Sequence, residues 1–134
     1  MKVTFVEKGF ILAGLSNILG VLLFSRLFTN EVMMHSQPEV MSYFGLISII
    51  LWGLAYIAVY QSYEYVPLLL LVFVIEKFIY VILWLLWIIT HSLAITYEKD
   101  LFAGIFYTIY GVNDSIFGIF FAWVYVKMKS VQTK

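Results

Sequence analysis

The stretch "VFVIEKFIYVILWLLW", Val72 to Trp87, decides how the chain is read. It is apolar and aromatic except for one carboxylate and one ammonium, Glu76 and Lys77, set side by side. It lies inside an apolar run from Pro67 to Thr90, longer than the roughly 20 residues a helix needs to cross hydrocarbon. A backbone crossing lipid must pair its own polar groups, so the run is expected to be helical. Pro67 suits the first turn of that helix, where its missing N–H is not needed.

The rest of the chain agrees. Of its 134 residues, 63% are apolar, 19% aromatic and only 12% charged. Soluble domains are about 45–50% apolar and about 25% charged, so the composition points to a single membrane domain over residues 1–134. Four segments reach spanning length: residues 9–28, 40–60, 67–90 and 101–126. The connections are "TNEVMMHSQPE", "QSYEYV" and "HSLAITYEKD", short enough to join antiparallel neighbours. The expected fold class is all-α, an antiparallel four-helix transmembrane bundle. Lys2 and Lys8 flank the first span like a signal peptide, but that span is too long and "LFSRLFTN" offers no small-residue cleavage pattern. A retained helix is expected.

Charge sets the orientation. Lys2 and Lys8 precede the first span, and Lys127, Lys129 and Lys134 follow the last. The first and third connections carry only Arg26 and Lys99, and the second carries no Lys or Arg. The positive-inside rule then puts both termini in the cytoplasm of a multi-pass inner-membrane protein. Tyr60, Tyr63, Tyr65, Trp123 and Tyr125 read as an aromatic belt on that side.

Basic and acidic residues balance at eight each, which gives no electrostatic footprint for nucleic acid. The absence of cysteine excludes disulfides, iron–sulfur clusters, thiolate zinc sites and dithiol redox chemistry. No phosphate-binding loop, nucleophile elbow, HExxH or dinucleotide fingerprint occurs. The sequence requires no cofactor.

The inward faces follow from spacing. In the fourth span Gly104, Tyr107, Gly111, Asp114, Gly118, Phe121 and Tyr125 alternate in steps of three and four. Glycines on such a face let helices approach closely. The third span repeats the pattern with Lys77, Tyr80, Trp84, Trp87 and His91. The second offers Ser42, Gly45, Ser48, Trp52 and Tyr56, and the first Gly9, Ala13, Asn17 and Gly20. Asn17, Glu76, Lys77, Asn113 and Asp114 all fall near the middle of their spans. A polar cluster at the membrane midplane is expected, with Ser48, Trp52, Tyr80 and Trp84 beside it.

Such a cluster is costly, since one Asp or Lys at a helix centre opposes insertion by about 2.5–3.5 kcal/mol. Asp114 and the two amides are expected to reach the Glu76–Lys77 pair. Two carboxylates and one ammonium do not balance, so a proton or a cation is expected to complete the charge. Intramembrane ionisable residues are functional by default, although buried polar groups also fix helix register. The first reading is a site that binds or moves a small apolar or cationic ligand, or a proton, on Asn17, Trp52, Glu76, Lys77, Tyr80, Trp84, Asn113 and Asp114. The aromatic lining suits a cation with an apolar body. The alternative is a non-catalytic accessory subunit, or a homo-oligomer in the lipid bilayer, in which the cluster is structural. An enzyme comes third. His35 and His91 are weak metal or haem candidates, with Met33, Met34 and Met41 near the first.

With "LFSRLFTN", "IEKFIYV" and "GIFYTIYGVND", the chain resembles small bacterial four-span integral membrane proteins over its whole length. The resemblance implies a bacterial inner membrane and brings no activity. Small multidrug exporters have similar length but carry an acid in the first helix, where this chain has Asn17. Sterol-isomerase-like and sigma-2-like four-helix proteins share only the architecture of inward acids and aromatics.

Overall fold

A computed structural model describes residues 2–133; Met1 and Lys134, the latter counted in the charge pattern, lie outside the described residues. The protein is all-α, 85% helical and without strands among the described residues. Its helices are α1 (Phe5–Phe24), α2 (Glu31–Ser36), α3 (Pro38–Met41), α4 (Tyr43–Ala58), α5 (Pro67–Thr90), α6 (Leu93–Lys99) and α7 (Leu101–Gln132), with a 3-10 turn at Tyr63–Tyr65. Helices α1, α5 and α7 are long and apolar enough to cross a membrane, and α4 is a shorter apolar helix.

Helix α1 starts in a capping box, with Glu7 N–H on the Thr4 hydroxyl at 3.2 Å and Thr4 N–H on the Glu7 carboxylate at 3.0 Å. It stops at Phe24, four residues before the expected end. Arg26, Leu27 and Phe28 adopt φ of 47°, 57° and 67°, three consecutive left-handed residues without a glycine. Each such residue costs about 1–2 kcal/mol. The turn is held by the buried Ser25, whose carbonyl accepts from Thr29 and Asn30 at 2.8 Å and whose hydroxyl accepts from Phe28 N–H at 3.0 Å. Arg26 reaches Asp100 at 2.8 Å, and Asn30 donates to the same carboxylate at 2.8 Å. Asp100 also caps α7 by accepting from Ala103 N–H at 2.8 Å. One carboxylate thus ties the α1–α2 turn to the start of α7.

The first connection is not a plain exposed loop. Helices α2 and α3 fold back onto the bundle, with Met33 and Met41 fully buried. Their polar groups are met from the long helices. Trp87 Nε1 donates to Ser36 O at 2.9 Å, and Tyr107 hydroxyl donates to Met33 O at 2.7 Å. Gln37 accepts from Tyr110 at 2.6 Å and donates to Leu83 O at 3.1 Å. Residues 31–41 thus form a plug packed where α5 ends and α7 begins.

The expected second span, 40–60, is broken at Ser42, whose extended backbone separates α3 from α4. Pro38 starts α3 and cannot continue a helix from before it. The 16 residues of α4 extend about 24 Å. The third span keeps its expected bounds. Helix α7 runs six residues past Val126, and the third connection is shaped by α6, capped by Ser92 accepting from Ile95 N–H at 3.3 Å.

Packing forms two main pairs, α1 with α4 and α5 with α7, and α1 also meets α7. Glycine allows the closest approaches. A Cβ on Gly53 would stand 2.7 Å from Gly14 O and 2.9 Å from Asn17 Cβ, so α1 and α4 touch backbone to backbone. A Cβ on Gly111 would fall inside the Trp84 indole. The end of the assembly away from the plug is filled by Phe10, Tyr56, Phe73 and Phe121, whose rings lie 4.8–5.3 Å apart.

Candidate polar site between the long helices

Four helices meet at one polar network. Lys77 of α5 is 1% exposed, and its Nζ lies 2.8 Å from Asp114 Oδ1 of α7 and 3.0 Å from Asn17 Oδ1 of α1. Asn17 Nδ2 then donates to Ile49 O of α4 at 3.0 Å. The ammonium also stands 5.2 Å from the centre of the Tyr56 ring. Glu76, 6% exposed, accepts a hydrogen bond from the Tyr56 hydroxyl.

The adjacent charges therefore form no direct ion pair with each other. Neighbours on a helix are turned about 100° from each other, so Lys77 faces α7 and α1 while Glu76 faces α4. The expectation that Asp114 and both amides gather on the pair is corrected accordingly. Asp114 and Asn17 meet Lys77, and Glu76 is held by Tyr56. Tyr56 belongs to the inward stripe of the second span. Its place at the end of that stripe hid its role, because the span was expected to begin at 40 rather than at Tyr43. The Ile49 carbonyl carries no signal in the sequence.

The other predicted residues fall in three groups. Asn113 and Tyr80 line the space around the network. Trp52 stands across from Glu76 and packs edge-on to Phe73 at 6.2 Å. Trp84 is committed elsewhere, with Nε1 donating to Tyr107 O at 2.6 Å and its indole lying over Gly111. Ser48 donates to Phe44 O of its own helix at 2.8 Å and adds no bond to the network.

Two openings reach the network. A cavity of about 660 Å³ separates the second half of α1 from α7. Asn17, Glu76, Lys77 and Asp114 form its polar end, and the rest of its wall is mainly apolar, with Leu19, Leu22, Leu23, Leu27, Phe24 and Phe106. A groove of about 310 Å³ follows α4 and α5 from Glu39 to Trp52 and Glu76. Glu76 and Tyr80 line both. The cavity lies in the usual size range of small-molecule sites, about 300–1,000 Å³, and has their combination of apolar walls and few polar groups.

His35 and His91 stand apart from this site. They line a third groove, beside the plug, with Glu31, Trp87 and Lys99. His35 Nδ1 faces Glu31 O at 2.8 Å, and His91 stacks on Trp87 with ring centres 5.1 Å apart. No group of three or more metal-binding side chains occurs among the described residues. Met33, Met34 and Met41 are buried in the core and do not present thioethers beside His35.

Comparison with family models, with curated proteins and with solved structures returns no match.

Proposed function

We propose that the chain is a four-span protein of the bacterial inner membrane that binds a small amphiphile entering sideways from the bilayer. In this reading α4 is the fourth span, both termini are cytoplasmic, and the plug faces outward. Antiparallel packing is supported by paired contacts. The ring of Phe120 fills the space beside Gly9, and Phe24 meets Phe106 at 6.2 Å; both belong to α1 against α7. Lys77 with Asp114 and Trp84 with Tyr107 do the same for α5 against α7. Helix α4 is short for a hydrocarbon layer of about 30 Å, and the buried plug supplies protein at the depth it leaves free.

The observation that carries the reading is the cavity itself. Its charged end lies at mid-length of the long helices and its walls are mainly apolar. Asn17, Glu76 and Asp114 would orient a polar or cationic head, with Lys77 balancing Asp114 and Asn113 and Tyr80 adding hydrogen bonds.

One observation favours the accessory-subunit reading. No buried side-chain polar atom lacks a partner among the described residues, as a purely structural network requires. Native mass spectrometry of protein released gently from membranes separates the two. A reproducible extra mass that is lost in Asp114→Asn supports the ligand site. A bare chain, or a defined assembly with another protein or further copies, supports the accessory role.

A further inference from the structure

We propose that Glu76 is a shared carboxylate, for which a lipophilic monocation in the α1–α7 cavity competes with a proton travelling along the α4–α5 groove. This rests on the ligand reading above and adds the class of ligand and the ion it exchanges with.

Charge names the ligand. Among the described residues the charged side chains lining the cavity are Glu76, Lys77 and Asp114, which fully ionised carry one negative charge in excess. Lys77 cannot remove it, because its ammonium is already engaged by Asp114 at 2.8 Å and Asn17 at 3.0 Å. One monovalent positive charge completes the site. Leucine walls require that charge to sit on an apolar body, since desolvating a compact hydrated ion would be prohibitive.

Position names the exchange. Glu76 is reached from the cavity on one side and from the groove on the other. The groove, about half the cavity's volume and lined mainly by apolar side chains, passes Ser48 and Trp52 and ends at Glu39. The groups facing Glu76 are Tyr56 from α4, Lys77 and Tyr80 on its own helix, and Asp114 from α7, while α1 contributes the neutral Asn17. None of these is a free cation. When the cavity is empty, the missing charge is a proton on the Glu76 carboxyl. On binding, the O–H bond breaks, the proton leaves along the groove, and the cation pairs with the carboxylate. Nothing is oxidised or reduced, and Tyr56 continues to donate its hydrogen bond.

The test uses the full chain in weakly buffered detergent, with tetraphenylphosphonium as the probe. Calorimetry reads binding and a pH-sensitive dye reads proton release. The expected result is about one proton released per bound cation, with affinity rising up to about tenfold per pH unit. Glu76→Gln should lose both the release and the pH dependence. Ser48→Trp, at a half-buried position lining the groove, should slow the release without changing its stoichiometry. Binding without proton release, or release that survives Glu76→Gln, overturns the proposal. If the probe fails to bind while native mass spectrometry still finds a retained ligand, the exchange is wrong and the ligand reading stands. If neither is seen, both fall.

Discussion

Breaking the Lys77–Asp114 pair from one side should be worse than removing it altogether. The two charges are 2.8 Å apart with side chains only 1% and 11% exposed. Asp114→Leu leaves the Lys77 ammonium buried with only the neutral amide of Asn17 as a hydrogen-bond partner. Lys77→Met leaves Asp114 with no cation, and Asn17 Oδ1 loses its donor as well. Removing one partner of a buried pair costs about 3–5 kcal/mol, whereas replacing both by apolar groups of similar volume is often neutral or stabilising. Each single variant should therefore lose about 3–5 kcal/mol. The double variant Lys77→Met with Asp114→Leu should recover much of that loss, keeping about 1–3 kcal/mol for the Asn17 Oδ1 left without a donor. Equilibrium unfolding in mixed micelles, followed by tryptophan fluorescence, measures all four corners of the cycle. Single losses below about 1 kcal/mol would mean that water reaches the pair, as at a surface bridge, and would refute the picture of a dry network.

The close contact at Gly111 predicts that Gly111→Ala displaces the Trp84 indole, breaks its bond to Tyr107 O and destabilises by about 1–3 kcal/mol; a changed Trp84 emission in a variant keeping that tryptophan alone checks it. Leu27→Gly should stabilise by up to about 1 kcal/mol in the same unfolding assay, because glycine relieves the left-handed backbone, at φ 57°, at an exposed position. Burial works against the Asp100 carboxylate, but the Ala103 amide, Arg26 and Asn30 together outweigh it and hold its carboxyl below the ordinary 3.8. A carboxyl lowered on folding adds stability that is complete above its unfolded value and lost as pH falls through its folded one. Hydrogen exchange at residues 25–31 should therefore accelerate below about pH 3.8 in the parent, and Asp100→Asn should show no such acid step.

Much of this architecture is visible in residue order, because lipid demands long apolar runs and charges stand out within them. The bounds of α5 and the meeting of Asn17, Lys77 and Asp114 both follow from span midpoints and three-four spacing. The separation of Glu76 from Lys77 was less accessible. It depends on which helix lies on each side of α5, and helix order around a bundle leaves no periodic trace. The left-handed turn was hidden for a different reason. "SRLFTN" has no glycine to announce positive φ, and its support comes from Asp100, far away in the chain. The plug was hidden because Met33, Met34 and Met41 have no regular period, and the groups that satisfy it, Trp87, Tyr107 and Tyr110, read equally well as core.

That last arrangement has a consequence for biogenesis. The plug lies between the first two apolar segments, yet its hydrogen bonds to the long helices run to α5 and α7. As the chain emerges, residues 31–41 are made long before Tyr107 and Tyr110 exist. Helices α1 and α4 can settle against each other through Gly14 and Gly53 at once, whereas the polar groups of the segment joining them wait for the last helix to arrive. Interrupted synthesis would leave the Met33 carbonyl and the Gln37 amide oxygen unpaired, a mark by which an unfinished copy differs from a finished one.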